Sequence, residues 1–184
     1  MCEPILLKHS NKNFEGVIFR PATVCGYSPR MRLDLSVNIL TNFAYNKGFI
    51  NVFGGNQLRP NLHILDYCDA VIELIEAPSE KIYNQIFNVG HQNMSILNLA
   101  KRVKKIIFNK TLKKIKLIKT SSNDKRSYHI NSDKIKNIIG FSPKRNVDDA
   151  ILEVYNAFKK KKIPNSFTNL NYYNVKKMLK LKVK

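Results

Sequence analysis

Apolar positions along the chain follow two spacings: short runs at a period of two, and longer stretches near 3.6. Residues 1–11 read as the end of a helix with Ile5, Leu6 and His9 facing inward, where Pro4 is tolerable only in a first turn. Gly16-Val-Ile-Phe-Arg is an apolar run that Pro21 breaks, which predicts a buried strand over 16–20 and a Pro-, Gly- and Arg-rich loop over 21–33. Asp34 is the expected N-cap of a helix to about residue 47, with Val37, Leu40 and Ala44 at near-helical spacing and Gly48 as C-cap. Phe49–Phe53 predicts a strand closed by Gly54-Gly55, and Leu62–Ile64 a second extended piece.

Asp66 is expected to cap a helix whose stripe is Ala70, Val71, Leu74 and Ile75, ended by Pro78. Ile86–Val89 reads as a strand, Gly90 turns the chain, and Ser95 caps a helix carrying Ile96, Ala100, Val103 and Ile107. Lys114–Ile118 predicts a strand, and Ser132 opens a short helix that Gly140 ends. Asn146, with Asp148 and Asp149 behind it, starts a helix bearing Val147, Ile151, Val154, Tyr155 and Phe158. Its acidic start and Lys159–Lys162 at its end suit the helix dipole. Residues 165–184 read as a peripheral polar linker and a short basic amphipathic helix. Strands alternating with helices make the expected class α/β.

Composition narrows the class further. With 184 residues, 43% of them apolar, a real core is within reach. No apolar run approaches the ~18 residues of a membrane span, and the first residues lack the pattern of a signal peptide. Cys2, Cys25 and Cys68 are widely spaced and form no metal-type pair, which fits a reduced, cytoplasmic protein. The formal charge of +19 is uneven: residues 1–100 hold 8 basic and 8 acidic residues, whereas 101–184 hold 24 and 5. A lysine-rich solvated surface explains this, and a polyanion-binding surface is the alternative. The aromatic–basic interleaving of single-strand binders is not evident, so a nucleic-acid partner ranks last.

Five motifs follow one another in a fixed order: Arg20-Pro-Ala-Thr-Val-Cys-Gly26; Asn51-Val-Phe-Gly-Gly55; Arg59 ahead of His63-Ile-Leu-Asp66; Phe87-Asn-Val-Gly90; and Asp124-Lys-Arg-Ser-Tyr-His-Ile through Lys134 to Gly140-Phe-Ser-Pro143. In this order and spacing the chain resembles the C-terminal half of the extended short-chain dehydrogenase/reductase family, the NAD-dependent nucleotide-sugar epimerases and dehydratases. The resemblance implies the last strands of a Rossmann-like fold plus a small substrate-binding lobe over 1–160, and a basic tail over 161–184.

It also implies roles. Pro21, Ala22 and Thr23 match the loop beside the nicotinamide ring of NAD, where small side chains let main-chain amides come close; an ordinary strand-ending turn reads the same. Asn38 matches a helix-start asparagine at the diphosphate or sugar, though an asparagine on a helix is often merely solvated. Asn51, Val52 and Phe53 match an extended segment that reads the base edge with its backbone and covers the base with an apolar side chain. Arg59 and Arg126 match the arginines that hold the two phosphates, a task suited to the planar guanidinium fork. Asp66 matches a family aspartate that helix capping explains equally, and His63 reads as a satisfied core histidine. Cys25 has no partner histidine at a readable spacing.

Two family motifs are missing from the positions the family gives them. No Gly-x-x-Gly-x-x-Gly turn follows a strand, so no dinucleotide-phosphate cradle is expected. Tyr-x-x-x-Lys occurs where Tyr155 precedes Lys159 and where Tyr172 and Tyr173 precede Lys176 and Lys177, all late in the chain and far from the family position. The resemblance would place the catalytic pair on the helix with which this chain begins, its lysine just before Met1. The expectation is therefore a nucleotide-sugar clamp with part of a nicotinamide wall, inactive alone as a truncated or split chain, partnered by a missing N-terminal half or a second copy. The alternatives are a non-catalytic nucleotide-sugar-binding module and a basic polyanion-binding protein.

Overall fold

The computed structural model describes residues 2–122 and 126–182. Its first elements are α1 (Cys2–His9), β1 (Ile18–Pro21), β2 (Thr23–Cys25), α2 (Ser36–Lys47) and β3 (Phe49–Phe53). Next come β4 (Leu58–His63), α3 (Ile64–Glu76), α4 (Ser79–Ile82), β5 (Ile86–Val89), β6 (Gln92–Ser95) and α5 (Ile96–Thr111). The last are β7 (Lys116–Thr120), α6 (Asp133–Ile139), α7 (Val147–Lys159) and α8 (Asn174–Lys180), with a single 3₁₀ turn over Leu170–Tyr172.

Three small sheets organise these pieces. β1 runs parallel to β5, β3 runs parallel to β7, and β2 and β4 run parallel with β6 antiparallel on the far edge of β4. The α/β class is as expected; in the parallel pairs β3 and β5 carry the buried residues, while β7 buries none and β1 only Ile18. One core joins β3, α2, α5 and α7 through Val37, Ile50, Val52, Val103 and Ile151. A second joins β4, α3, β5 and α6 through Leu62, Leu74, Phe87 and Ile135. A third packs Leu33, Val154, Phe158, Ile163 and Tyr173. Helix α7 contributes to the first and third, which is why seven of its residues are buried. Among the described residues no helix is long and apolar enough to cross a membrane.

Local signals placed most boundaries. Gly48 ends α2 at φ 72°, in the left-handed region that favours glycine. Ser95 caps α5 by accepting from the Asn98 amide, and Asn146 with Asp149 closes a capping box on α7. Gly90 is needed for another reason. A Cβ there would stand 2.4 Å from Ile130 Cγ2 and 3.1 Å from Ala22 Cβ, so β5 can end against both only without a side chain.

Long-range contacts moved the rest. Asp34 is not the α2 cap, a position held by Leu35. Its Oδ1 instead accepts from Arg32 Nε at 3.0 Å, and its Oδ2 from the Asn174 amide at 2.9 Å. His63, not Asp66, caps α3. On that helix Asp66, Ala70 and Leu74 face inward, while Ile75 is exposed and Val71 half-buried, because only one line at i, i+4 meets the sheet. β7 starts two residues later than expected, since Ile115 is spent on the core and Lys116 donates to the Gly48 carbonyl at 3.0 Å. Helix α1 buries no residue. Leu6 lies against Gly16, but Ile5 and His9 point outward, against expectation.

The supposed linker after Pro164 is packed. Tyr173 donates its hydroxyl to the Ser166 carbonyl at 2.7 Å, Ser166 Oγ bonds Asn42 Oδ1 at 2.8 Å, and the Leu33 amide donates to Tyr172. Burial raises the Tyr173 phenol above its ordinary range, opposed by the hydrogen bonding with Asn42 and aided by the Asp34 carboxylate.

The thiols give this packing a direct check. Cys25 is buried while Cys2 and Cys68 are exposed. Burial, followed by the nearby Glu153 and Asp66 carboxylates, pushes the Cys25 thiol up to about 12. Reaction of the folded chain with a chromogenic disulfide near pH 8 is expected to consume two thiols quickly, and the third only in denaturant. The same shift sets a sign. The unfolded thiol loses its proton above about pH 8.5 and the folded one does not, so this group's contribution to stability falls as pH rises from there toward 12.

Candidate functional site

Strand alternation decides which residues of the Asn51-Val-Phe segment can meet a ligand. In β3 the side chains of Ile50 and Val52 are fully buried in the core, while Asn51 and Phe53 project from the opposite face. Val52 therefore supplies core packing and backbone, paired with Lys119 of β7, and its side chain is not at the ligand face.

Asn51 and Phe53 open onto a cavity of about 490 Å³. Helix α2 supplies an apolar wall of Ile39, Leu40 and Phe43, and α5 adds Ile96. Gln57 and Arg59 close the side beyond the Gly54-Gly55 turn, with Asp34 and Ser36 at the start of α2. The turn is locked by Gln57: its Oε1 accepts from the Gly55 amide at 2.6 Å and its Nε2 donates to the Phe53 carbonyl at 2.8 Å. Both glycines have positive φ, 71° and 120°, which the reversal requires.

Arg59 is positioned by main-chain oxygens. Its Nη1 donates to the Leu58 carbonyl at 2.9 Å and to the Arg126 carbonyl at 2.5 Å. Its guanidinium carbon lies 5.2 Å from the Tyr128 ring centroid. The Leu58 amide donates to Ser127 Oγ at 3.0 Å, so residues 126–128 lie along the start of β4. The two arginines expected at the phosphates thus meet, Arg126 through its backbone. Asp124 and Lys125 of the same motif lie outside the described residues.

Asn38 stands elsewhere. It is buried, and its side chain ties the loop after β2: Oδ1 accepts from the Gly26 amide at 3.1 Å, and Nδ2 donates to the Arg32 carbonyl at 2.9 Å. It borders a separate cavity of about 250 Å³, beside Cys25, Gly26, Arg30 and Arg32. Pro21, Ala22 and Thr23 are apart from both Asn51 and Arg59. Pro21 ends β1 opposite Val89, the Ala22 amide donates to the Val89 carbonyl at 2.7 Å, and Thr23 begins β2 opposite Asn61.

Two buried polar groups frame the scaffold. His63 Nδ1 accepts from the Leu65 amide at 3.2 Å, which leaves its proton on Nε2, 3.1 Å from Glu153 Oε2 on α7. Asp66 accepts from the amides of Lys144 and Arg145 at 3.2 and 2.9 Å, and from Arg145 Nη1 at 2.7 Å. Arg145 also reaches Asp69 at 2.8 Å; that bond, then those to Asp66, raise its guanidinium pKa above the ordinary value. Both groups are structural clasps, in line with the reading of His63 as a core histidine.

Sequence reasoning missed Gln57, Ile39, Phe43 and Ile96 as cavity residues. Phe43 stands out of the Val37–Leu40–Ala44 stripe, and a large apolar residue just off a buried stripe was the available signal.

Residues 1–90 match the model of the NAD dependent epimerase/dehydratase family. The match covers just under half of the chain. Its fold matches that of a Bacillus thuringiensis protein, Pal, at 22% identity and TM-score 0.70, covering 86% of this chain and 50% of that one. It matches UDP-glucuronic acid 4-epimerase from Bacillus cereus, solved with UDP-glucuronic acid and NAD, at 23% identity and TM-score 0.66, covering 82% and 47%. It also matches dTDP-glucose 4,6-dehydratase from Bacillus anthracis, solved with NAD, at 16% identity and TM-score 0.69, covering 87% and 50%. The chain thus spans about half the length of these solved structures. Within the epimerase/dehydratase match lie Pro21 to Thr23, Asn38, the Asn51–Phe53 segment and Arg59, whereas Arg126 falls beyond it.

Proposed function

We propose that this chain is the nucleotide-sugar-binding part of an NAD-dependent epimerase/dehydratase, holds a nucleoside diphosphate sugar in the 490 Å³ cavity, and does not turn it over by itself. The observation that carries this reading is the convergence of Asn51, Phe53 and Arg59 on one cavity with an apolar far wall. Its volume lies in the usual range for small-ligand sites, about 300–1,000 Å³. Arg59, already oriented by two carbonyls, suits a diphosphate, and Arg126 lies beside it. Phe43, Ile39 and Ile96 suit the face of a base, while the Asn51 amide suits its polar edge.

In this family NAD supplies transient oxidation of a sugar hydroxyl. The residues of this chain do not by themselves fit the dinucleotide. No Gly-x-x-Gly-x-x-Gly turn follows a strand, the Ala22 amide is spent on Val89, and the space beside Gly90 is filled by Ile130. No step through NAD is therefore assigned to these residues. The chain's own part is to bind and orient the sugar nucleotide. The cofactor cradle and the Tyr/Lys pair belong to another segment, in the same chain or a separate one.

Calorimetry with UDP-glucose, UDP-glucuronic acid and dTDP-glucose is expected to detect at least one of them, and not NAD. Arg59→Ala is expected to weaken that binding roughly 10- to 100-fold, the loss of one charge-assisted contact of about 1.5–3 kcal/mol. Heat with NAD alone, turnover of any nucleotide sugar by the 184-residue chain, or an unchanged Arg59→Ala variant would overturn the reading.

A further inference from the structure

Helix α8 is amphipathic and faces the wrong way for a helix that serves only the core. At 3.6 residues per turn, Val175, Met178 and Leu179 form one stripe, about 100° wide, and Lys176, Lys177 and Lys180 form the opposite one. No residue of α8 is buried. Val175 is 68% exposed and Leu179 74%, and Leu181 just beyond the helix is 60% exposed. On the lysine side Lys176 and Lys180 are exposed as well, and only Lys177 turns toward the protein. Lys177 is half-buried with Nζ donating to Asn171 Oδ1 at 2.8 Å, and Lys176 Nζ lies 4.6 Å from the Tyr173 ring centroid.

The helix is nevertheless anchored. Its first amide, at Asn174, donates to Asp34 Oδ2, and Arg30 Nη2 donates to Asn174 Oδ1 at 2.9 Å. The adjoining Tyr173 is buried in the third core. An anchored helix with its apolar stripe in water needs a partner to cover it.

We propose that α8 is a contact site for an anionic lipid bilayer, lying in the headgroup plane with Val175, Met178, Leu179 and Leu181 inserted. Charge complementarity selects this occupant. After Glu153 the sequence contains no acidic residue and nine lysines. The exposed Lys176 and Lys180, on the side of α8 away from the stripe, have stems long enough to carry their ammonium groups back to lipid phosphates at the headgroup level. A second copy of the chain fits poorly, because pairing α8 with α8 brings two lysine-rich segments together. A nucleic acid would take the lysines and leave the apolar stripe in water. A convex stripe with no adjoining groove suits a fluid surface that needs no matching shape.

The test is vesicle sedimentation of the full chain, with phosphatidylcholine alone or with about a third phosphatidylserine. Binding to the anionic vesicles is expected to be at least ~10-fold tighter and to fall away by about 0.5 M salt. Val175→Ser with Leu179→Ser is expected to weaken it at least ~10-fold, the transfer of two apolar side chains. The circular dichroism spectrum should not change. The sequence has no tryptophan, so Leu179→Trp adds a single reporter whose emission should shift to the blue on the same vesicles. Equal binding to both vesicle types, no binding at low salt, or full binding by the serine variant would each overturn the proposal. Retained binding by the serine variant with equal affinity for duplex DNA would assign the lysines to polyanions in general.

Discussion

Asp66→Ala is expected to destabilise the chain by about 3 kcal/mol, the lower end for breaking a buried pair whose partner is partly exposed. The carboxylate is 1% exposed and collects three donors from residues 144 and 145. Those donors fix the segment that leads from α6 into α7, and α7 in turn supports two cores. Removing the carboxylate leaves two main-chain amides without their acceptor, and each orphaned buried group costs about 1–3 kcal/mol. Asp69→Ala is the control, because Asp69 is one-third exposed and Arg145 keeps Asp66, so an effect below about 1 kcal/mol is expected. In thermal unfolding the two variants should differ by roughly 4–8 °C, at about 2–4 °C per kcal/mol for a chain of this size. Equal midpoints would mean that the Asp66 clasp does not hold this junction.

Asn38→Ala is expected to cost about 2–4 kcal/mol, because two hydrogen-bonding groups of the loop after β2 are then left buried and unpaired. Gly26 has φ 104°, a conformation that only glycine adopts easily, and Asn38 is the side chain that holds it there. The family resemblance placed Asn38 at the sugar or diphosphate. The geometry separates the two roles: its polar atoms are occupied by Gly26 and Arg32, and it borders a different cavity from Asn51 and Arg59. Chemical denaturation and nucleotide-sugar binding measured on the same variant distinguish them. A structural clasp lowers the denaturant midpoint and leaves affinity per folded molecule within about threefold, under 1 kcal/mol. Intact stability with lost affinity would return Asn38 to the ligand.

The parts of the fold legible in the sequence were those written in neighbouring residues. Gly48, Ser95 and the Asn146–Asp149 box mark helix ends through contacts a few positions apart. Phe49–Phe53 and Ile86–Val89 were legible as strands because their apolar runs are short and bounded by turn residues. Asp34, Asp66 and Tyr173 were misread or passed over because their partners lie 140, 79 and 7 or more residues away, and an acidic residue before a helix looks like a cap whatever it bonds. The candidate site divided in the same way. Val52 read from the sequence as part of the ligand segment, and only the burial of alternate β3 residues in the core takes its side chain off the ligand face. The joining of Arg59 to Arg126 depends on residues 126–128 returning across β4, which no local pattern records.

The most direct measurement is amide chemical shift mapping as UDP-glucose or UDP-glucuronic acid is titrated into the isotopically labelled chain. Asn51, Phe53, Gly54, Gly55 and Arg59 should move together and saturate with one affinity, the one calorimetry gives, while Gly26 and Ala22 stay still. Saturable shifts centred on Gly26 and Asn38, or none at Asn51 and Arg59, would contradict a nucleotide-sugar site in the cavity between β3, α2 and α5.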